Sequence, residues 1–480
     1  MGIVDKKSVW AYNHHRWGNQ KRHPMIVKLR DSLRASKQRA ALEKIKPEPD
    51  PVFWGGLVEI IKKITIRIFL RTAAIPFQVT GNALYHLKRY QPAVKAYSTA
   101  IRLCPWDYIF FYKRGCALDK LGLYLDALEN LEQAIAIRPL NPELYKERAH
   151  IYYCLKNYKK ALNDLDPVLY AWPKYPGGHL SRGLAYKALD DNNNAIEDFT
   201  EHIRLNSDNF EALLQRADCY LALGSLSLAI SDVENALAFE PNNEKALSIQ
   251  VQVLTGLKKY GAAVVAADKL LPISRCAAYA YSLRADALIG YKEYERALKD
   301  RQQAVKLNPK VAESWNVLAL LYEHLGNKKA ALKCFNKAIK LAPKISILRR
   351  NRGGLHESDN EFEKAFVEYD AAVELNYKDP DNYFFRARVL LRMNRTDEAE
   401  RDINQAIRMT DKDPYCFFLR GNIYEDKKEL TKALQDYSRA IALDPQFAEA
   451  YKRRGAVYFD LDEKTKSHAD SVKARELDIK

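Results

Sequence analysis

The residues of this chain best suited to catalysis or metal binding are its ten histidines and seven cysteines, and their spacing along the chain announces no site. His14 and His15 are adjacent, but no H-E-x-x-H occurs to put two imidazoles and a general base on one helix face. Phosphate-binding glycine loops, dinucleotide fingerprints and nucleophile elbows are also missing from the sequence. Cys104, Cys116, Cys154, Cys219, Cys276, Cys334 and Cys416 include no C-x-x-C pair. An odd, dispersed set of thiols points to a reducing compartment rather than to disulfides or a zinc site. The expectation is a protein that is no enzyme, carries no cofactor or metal, and works by binding.

The binding residues that stand out are at the N-terminus. Trp10, Tyr12, His14, His15, Arg16, Trp17, Lys21 and Arg22 mix rings with bases in a stretch without clear periodicity. Residues 1–73 hold 16 Lys and Arg against 6 Asp and Glu, most of the net charge of +16. Such an arm suits an acidic polymer surface: the tails of a microtubule would attract its bases, and RNA would also offer bases on which the rings could stack. The microtubule is favoured, because no RNA-binding module is recognisable and the remaining residues are only mildly basic. After Pro24 an amphipathic helix is expected, with Ile26, Leu29, Leu33 and Ala40 on its apolar stripe, ended by the stiff linker "KPEPDP".

Beyond the arm, the chain is strictly periodic. Alanine recurs every 34 residues from Ala93 through Ala127, Ala161, Ala195, Ala229, Ala263, Ala297, Ala331, Ala365 and Ala399 to Ala433, and Ser467 breaks the series. Twelve places before each alanine stands a small residue, such as Gly81, Gly115, Ala149 and Gly183, with Val251 the exception. Proline often follows twelve places after, as in Pro105, Pro139, Pro309 and Pro343. Each period reads as two helices of three to four turns that cross closely at the small residues, the second stopped by proline. His86, His150, His202 and His324 fall at differing phases of this repeat, as expected of surface or groove histidines. Acidic turns such as "LDEK" and "DKKEL" read as helix caps.

In these residues the chain resembles the tetratricopeptide repeat (TPR) family. The best matching unit contains Trp315, Leu318, Ala319, Tyr322, Ala331, Phe335, Ala338 and Pro343. The resemblance covers 74–480 and implies an all-α, right-handed superhelical solenoid of about twelve helical hairpins whose first helices line the concave surface, preceded by a basic N-terminal extension. It further implies protein partners, held as extended or helical segments by groove residues. The candidates are Tyr112, Lys146 and Tyr153 in early units, with His150 beside them, and Arg350, Phe384, Arg388, Phe418, Asn422 and Lys452 in late ones. Chaperone-binding members hold a terminal carboxylate with successive Lys, Asn and Arg side chains. The comparable positions here are Gln78, Asn82, Lys113, Glu143 and Glu147, whose two acids would repel it.

Residues 53–73 are expected to form a separate helix whose face Leu57, Ile61, Ile64 and Ile68 covers the open end of the first repeat. Its charges interrupt it too often for a membrane span. An in-plane membrane helix and a partner-docking helix stay open as alternatives. Two irregularities are expected in the stack: near 173–180, where "PKYPGG" should delay the next helix, and over 244–277, where Pro272 should end a second helix early. The apolar "AAVVAADKLL" there reads as core, with a bend near 270–278. The polar last helix around Ser467 reads as an end cap. Weak targeting signals favour the cytoplasm, in a cytoskeletal or ciliary assembly, over mitochondrial import.

Overall fold

The computed structural model describes residues 51–206 and 209–478, so the arm residues Trp10 to Arg22 and the stripe Ile26 to Ala40 lie outside the described residues. The chain divides into two compact units between Val253 and Leu254, inside the stretch expected to be irregular. The described residues are all-α, with 24 helices and no strand.

The first unit contains α1 (Pro51–His86), α2 (Tyr90–Leu103), α3 (Tyr108–Lys120), α4 (Tyr124–Ile137), α5 (Pro142–Cys154), α6 (Tyr158–Ala171), α7 (Pro176–Lys187), α8 (Asn192–Leu205), α9 (Phe210–Ala222) and α10 (Leu226–Phe239). Helix α11 (Glu244–Gly256) carries the division. The second unit continues with α12 (Tyr260–Leu270), α13 (Ala277–Gly290), α14 (Tyr294–Leu307), α15 (Ala312–His324), α16 (Lys328–Leu341), α17 (Ser346–Ser358), α18 (Phe362–Leu375), α19 (Pro380–Arg392), α20 (Thr396–Met409), α21 (Pro414–Asp426), α22 (Leu430–Leu443), α23 (Ala448–Asp460) and α24 (Lys464–Asp478). Within each unit the odd-numbered helix of a hairpin packs on the even-numbered one that follows, and each hairpin on the next.

The turn inside each hairpin is built the same way twelve times. One residue takes a left-handed backbone, from Lys88 and Gly122 through Lys258 and Lys292 to Lys428 and Asp462, with φ between 57° and 76°. That reversal lets the following amides reach back to the end of the helix: Gly122 N–H donates to Asp119 and Leu123 N–H to Leu118, at 2.8 and 3.0 Å. Glycine occupies only three of the twelve places.

The periodic alanines are fully buried between helices, and the small site twelve residues earlier explains itself by size. A Cβ added to Gly81, Gly183, Gly353 or Gly421 would come within 2.5–2.7 Å of the ring of Tyr97, Phe199, Tyr369 or Tyr437, each sixteen residues later. Where alanine holds the site, an aliphatic partner usually stands opposite, as Leu165 for Ala149 and Ile403 for Ala387. In these pairs the larger ring stands opposite the smaller residue.

A second ladder joins the same helices by charge. Arg148, Arg182, Arg216, Arg284, Arg386, Arg420 and Arg454 each grip an aspartate sixteen residues on with two nitrogens. In most units the remaining nitrogen reaches the residue sixteen places back, as Arg386 does to Asp370 and Arg420 to Asn404. One arginine thereby ties its own hairpin to the preceding one.

Three expectations meet a different structure. Residues 53–73 are not a separate element, because α1 runs unbroken from Pro51 to His86 through Pro76. The stripe does not cover a repeat end: Ile61, Ile64 and Ile68 are 52%, 51% and 62% exposed. The face of α1 turned to the repeats is instead that of Ala74 and Gly81, where the backbones can approach. Finally, "PKYPGG" delays nothing. Pro176 is the first residue of α7 and stands 34 residues after Pro142, the first of α5, since proline fits the opening turn of a helix. Gly178 packs within reach of Leu169 and Tyr175, which closes the expected gap.

Over 244–277 the structure shows a shortened second helix. Helix α12 stops after 11 residues, just before Pro272, and Ala263, Val264, Ala266, Ala267 and Leu270 are core. Helix α24 buries only Asp470 and Ala474.

Candidate functional site

Four of the groove candidates come together in the second unit. Phe384 and Arg388 on α19 and Phe418 and Asn422 on α21 line one open cavity of about 610 Å³. Phe384 and Phe418 occupy the same repeat position 34 residues apart, as do Arg388 and Asn422, so successive first helices present them side by side.

The floor of the cavity is aromatic. Phe418 and Phe447 have ring centroids 4.9 Å apart, and Tyr415 stands 4.9 Å from Phe447 on the other side. Tyr415 remains exposed. The fully buried Tyr437 supports Phe418 from below at 5.8 Å. Its hydroxyl lies 2.8 Å from Asn422 Oδ1 and 2.7 Å from Glu425 Oε2, which fixes two lining residues. Burial, with Glu425 beside it, pushes the Tyr437 phenol pKa well up, so the ring stays neutral.

The rim is mainly basic. Arg388, Arg392, Lys428 and Arg453 line the cavity with the acids Glu425 and Asp426. Arg388 lies over the Phe385 ring at 4.7 Å and donates to both carboxylate oxygens of Glu357, at 2.9 and 2.8 Å. Burial works against its charge, but Glu357 outweighs burial and raises its pKa. Arg392 reaches across to the Phe362 ring at 5.4 Å, and Arg453 meets its acids only at 3.6 Å from Glu425 and 3.8 Å from Glu449. These loosely held guanidinium groups can turn to an incoming carboxylate.

The other candidates are placed differently. Arg350 is 13% exposed in its side chain and joins Asp379 at 2.8 Å and Asn382 at 3.1 Å, so it ties α17 to the start of α19. Lys452 projects on α23 and pairs with Asp478 at 3.0 Å, outside the cavity lining. In the first unit Lys146 hydrogen-bonds Glu143 and lies 3.1 Å from Glu147, while Tyr175 donates to Glu143. The two acids are thereby occupied within the protein. Tyr112 is half-buried beside Cys116, its pKa raised by burial and that thiol. The ring of Tyr153 packs on that of Tyr158 at 5.3 Å.

Sequence reasoning missed Tyr415, Phe447, Arg392 and Arg453. Phe447 precedes its helix, so a search of helical positions passes over it. Arg392 and Arg453 carry no periodic signal.

Models of one family match along both units. Tetratricopeptide repeat models match residues 112–176, 180–244, 312–345 and 380–413, and a TPR repeat model matches 421–462. The chain belongs to the tetratricopeptide repeat family, whose fold serves as a protein-interaction scaffold. No curated protein matches the sequence. Among solved structures it is similar to yeast Tom70, with 17% identity over 84% of this chain and 96% of that one, at a TM-score of 0.47. The APC/C hetero-tetramer Cut9–Hcn1 gives 13% identity, 86% and 98% coverage and a TM-score of 0.40. A tetratricopeptide repeat protein from Parabacteroides merdae gives 20%, 52% and 98%, and 0.43.

Proposed function

We propose that the chain is a non-enzymatic scaffold whose second unit grips a partner protein segment at the cavity between α19, α21 and α23. The observation that carries this reading is that the rings of Phe384, Phe418 and Phe447 line the same cavity as the guanidinium groups of Arg392 and Arg453. Such a site suits a segment that inserts a bulky apolar side chain and places an Asp or Glu beside it. The basic arm then anchors the scaffold on an acidic polymer, a microtubule before RNA, within a cytoplasmic assembly of cytoskeletal or ciliary type. Affinity purification tests both parts at once. Partners of the groove should be lost from Arg392→Glu/Arg453→Glu, and arm partners, including salt-sensitive pelleting on microtubules, from a chain lacking residues 1–52. Identical partner sets for all three chains would refute the division of labour.

A second reading has its own observation. The apolar stripe of α1 faces solvent, with Ile75 and Val79 extending it and Phe69 71% exposed. Lys62, Lys63, Arg67 and Arg71 share the helix with one acid, Glu59, and no described helix is long and apolar enough to cross a membrane. A helix of this kind suits the surface plane of an anionic membrane, as in a subunit held on an organelle. Flotation of the full chain with anionic vesicles, abolished by Ile64→Asp/Ile68→Asp, would support it. Absence of flotation would remove it.

A further inference from the structure

The first unit brings Asp119 beside a histidine and a cysteine that stand one helical turn apart in the next repeat. Asp119 is the penultimate residue of α3, and Cys154 ends α5 one turn after His150, so the imidazole and the thiol share a helix face. His150 Nε2 stands 3.6 Å from Asp119 Oδ1 and 3.6 Å from Cys154 Sγ, and one ligand atom from each residue lies within 4.8 Å of the others.

We propose that Asp119, His150 and Cys154 form a binding site for a zinc-type divalent cation. The spacing is the first argument. A nitrogen–oxygen distance of 3.6 Å is long for a hydrogen bond. Around a tetrahedral zinc, with ligand bonds of about 2.0–2.3 Å, nitrogen and sulfur sit about 3.5 Å apart and nitrogen and oxygen about 3.3 Å. Both measured separations therefore already approximate edges of the coordination tetrahedron. The mixed sulfur, nitrogen and oxygen donors are the second argument, since this set suits zinc and not magnesium or calcium.

Neighbouring groups prepare the donors. Lys120 Nζ lies 2.9 Å from Asp119 Oδ2, which leaves Oδ1 directed toward His150. Burial disfavours the Asp119 carboxylate, but His150 and Lys120 overcome it and hold its pKa below the usual value. Burial, and Asp119 with it, raises the Cys154 pKa, against the smaller opposing pull of Tyr124 and Lys120, so the metal itself must draw off the thiol proton. Binding breaks the S–H bond, forms the sulfur–metal bond and releases that proton to solvent. No redox partner is needed. The three ligands leave a fourth vertex for water or for a donor from a bound segment, and His150, 45% exposed, puts the ion within reach of solvent. An ion held there would fasten α3 to α5, the first helices of successive repeats.

Cobalt(II) substitution in the full chain tests the site, because a thiolate–cobalt bond gives a charge-transfer band that imidazole and carboxylate ligands do not. One equivalent of cobalt should produce the band, and zinc should bleach it and raise the melting temperature. Cys154→Ser should abolish the band and the zinc-induced shift with an unchanged helical spectrum, while Cys276→Ser and His14→Ala/His15→Ala retain both. Asp119→Asn should weaken binding without removing the band. No band in the wild-type chain, or an equal band in Cys154→Ser, overturns the proposal. If Cys154→Ser does not fold, blocking of Cys154 from alkylation by stoichiometric zinc in the wild-type chain decides it: a thiol alkylated equally fast with and without zinc is no ligand.

Discussion

Arg420 on α21 holds Asp436 on α22 through two parallel hydrogen bonds of 2.7 and 2.8 Å, and its third nitrogen reaches Asn404 on α20 at 2.8 Å. The Asp436 carboxylate is buried, and the guanidinium lies over the rings of Phe417 and Tyr424 at 5.6 and 5.9 Å. Removal of one partner strands the other charge in a site with little water, so Asp436→Ala should cost about 3 kcal/mol. The eighth repeat shows another solution: Leu318 and Cys334 stand at the two ladder positions and pack in one apolar cluster. The double substitution Arg420→Leu/Asp436→Cys should therefore cost less than Asp436→Ala alone, as urea denaturation would measure. A larger loss from the double variant would show that the ladder cannot be exchanged for apolar packing.

The glycine site gives a steric counterpart. A Cβ on Gly421 would lie 2.5 Å from Tyr437 Cε1, and the Tyr437 ring cannot withdraw without losing its contacts to Asn422 and Glu425. Gly421→Ala should cost roughly 1–3 kcal/mol through overpacking. Adding Tyr437→Leu should recover part of that loss, because the pair then has the sizes of Ala149 and Leu165. Thermal melts of the two variants check this, and a double variant less stable than Gly421→Ala would contradict it.

His179 links stability to pH. Its Nδ1 lies 2.9 Å from Asp198 Oδ1 and its Nε2 2.8 Å from the Pro173 carbonyl oxygen, both acceptors, so both bonds form only when the ring carries two protons. Burial alone would lower its pKa, and Arg182 adds to that, but Asp198 and Pro173 outweigh them and raise it. A folded pKa above the unfolded value of about 6.5 means that the stabilisation is complete below pH 6.5. It is lost as pH rises through the raised folded value. His179→Gln should thus destabilise the chain more at about pH 5.5 than at about pH 8.5. Equal losses at the two pH values would show that the ring is not protonated on folding.

The framework was legible because packing repeats itself. An alanine buried in eleven of the twelve hairpins has no alternative of another size, so its period survives in the sequence and sets the register that the twelfth, with Ser467, continues. The arginine ladder has the same period, but a polar residue on a helix reads as solvent-facing until the partner sixteen residues away is seen beneath it. Pro176 misled because proline was taken as a helix breaker where it serves as a helix start. The stripe of α1 misled for the opposite reason: an apolar face was taken to be covered by the repeats, where it stands exposed. At the cavity, Phe384, Arg388, Phe418 and Asn422 are visible to repeat phase because they share helix positions, whereas Phe447 lies just before α23 and has no such phase.

Recognition of an apolar side chain beside an acid is the role proposed for the second-unit cavity. Selection of binders from a random peptide library displayed against the full chain tests it most directly. The account predicts peptides enriched in a bulky aromatic or aliphatic residue next to Asp or Glu, whose binding Arg392→Glu/Arg453→Glu abolishes without changing the thermal melt. Selected peptides lacking that pairing, or bound equally well by the charge-reversed chain, would contradict it.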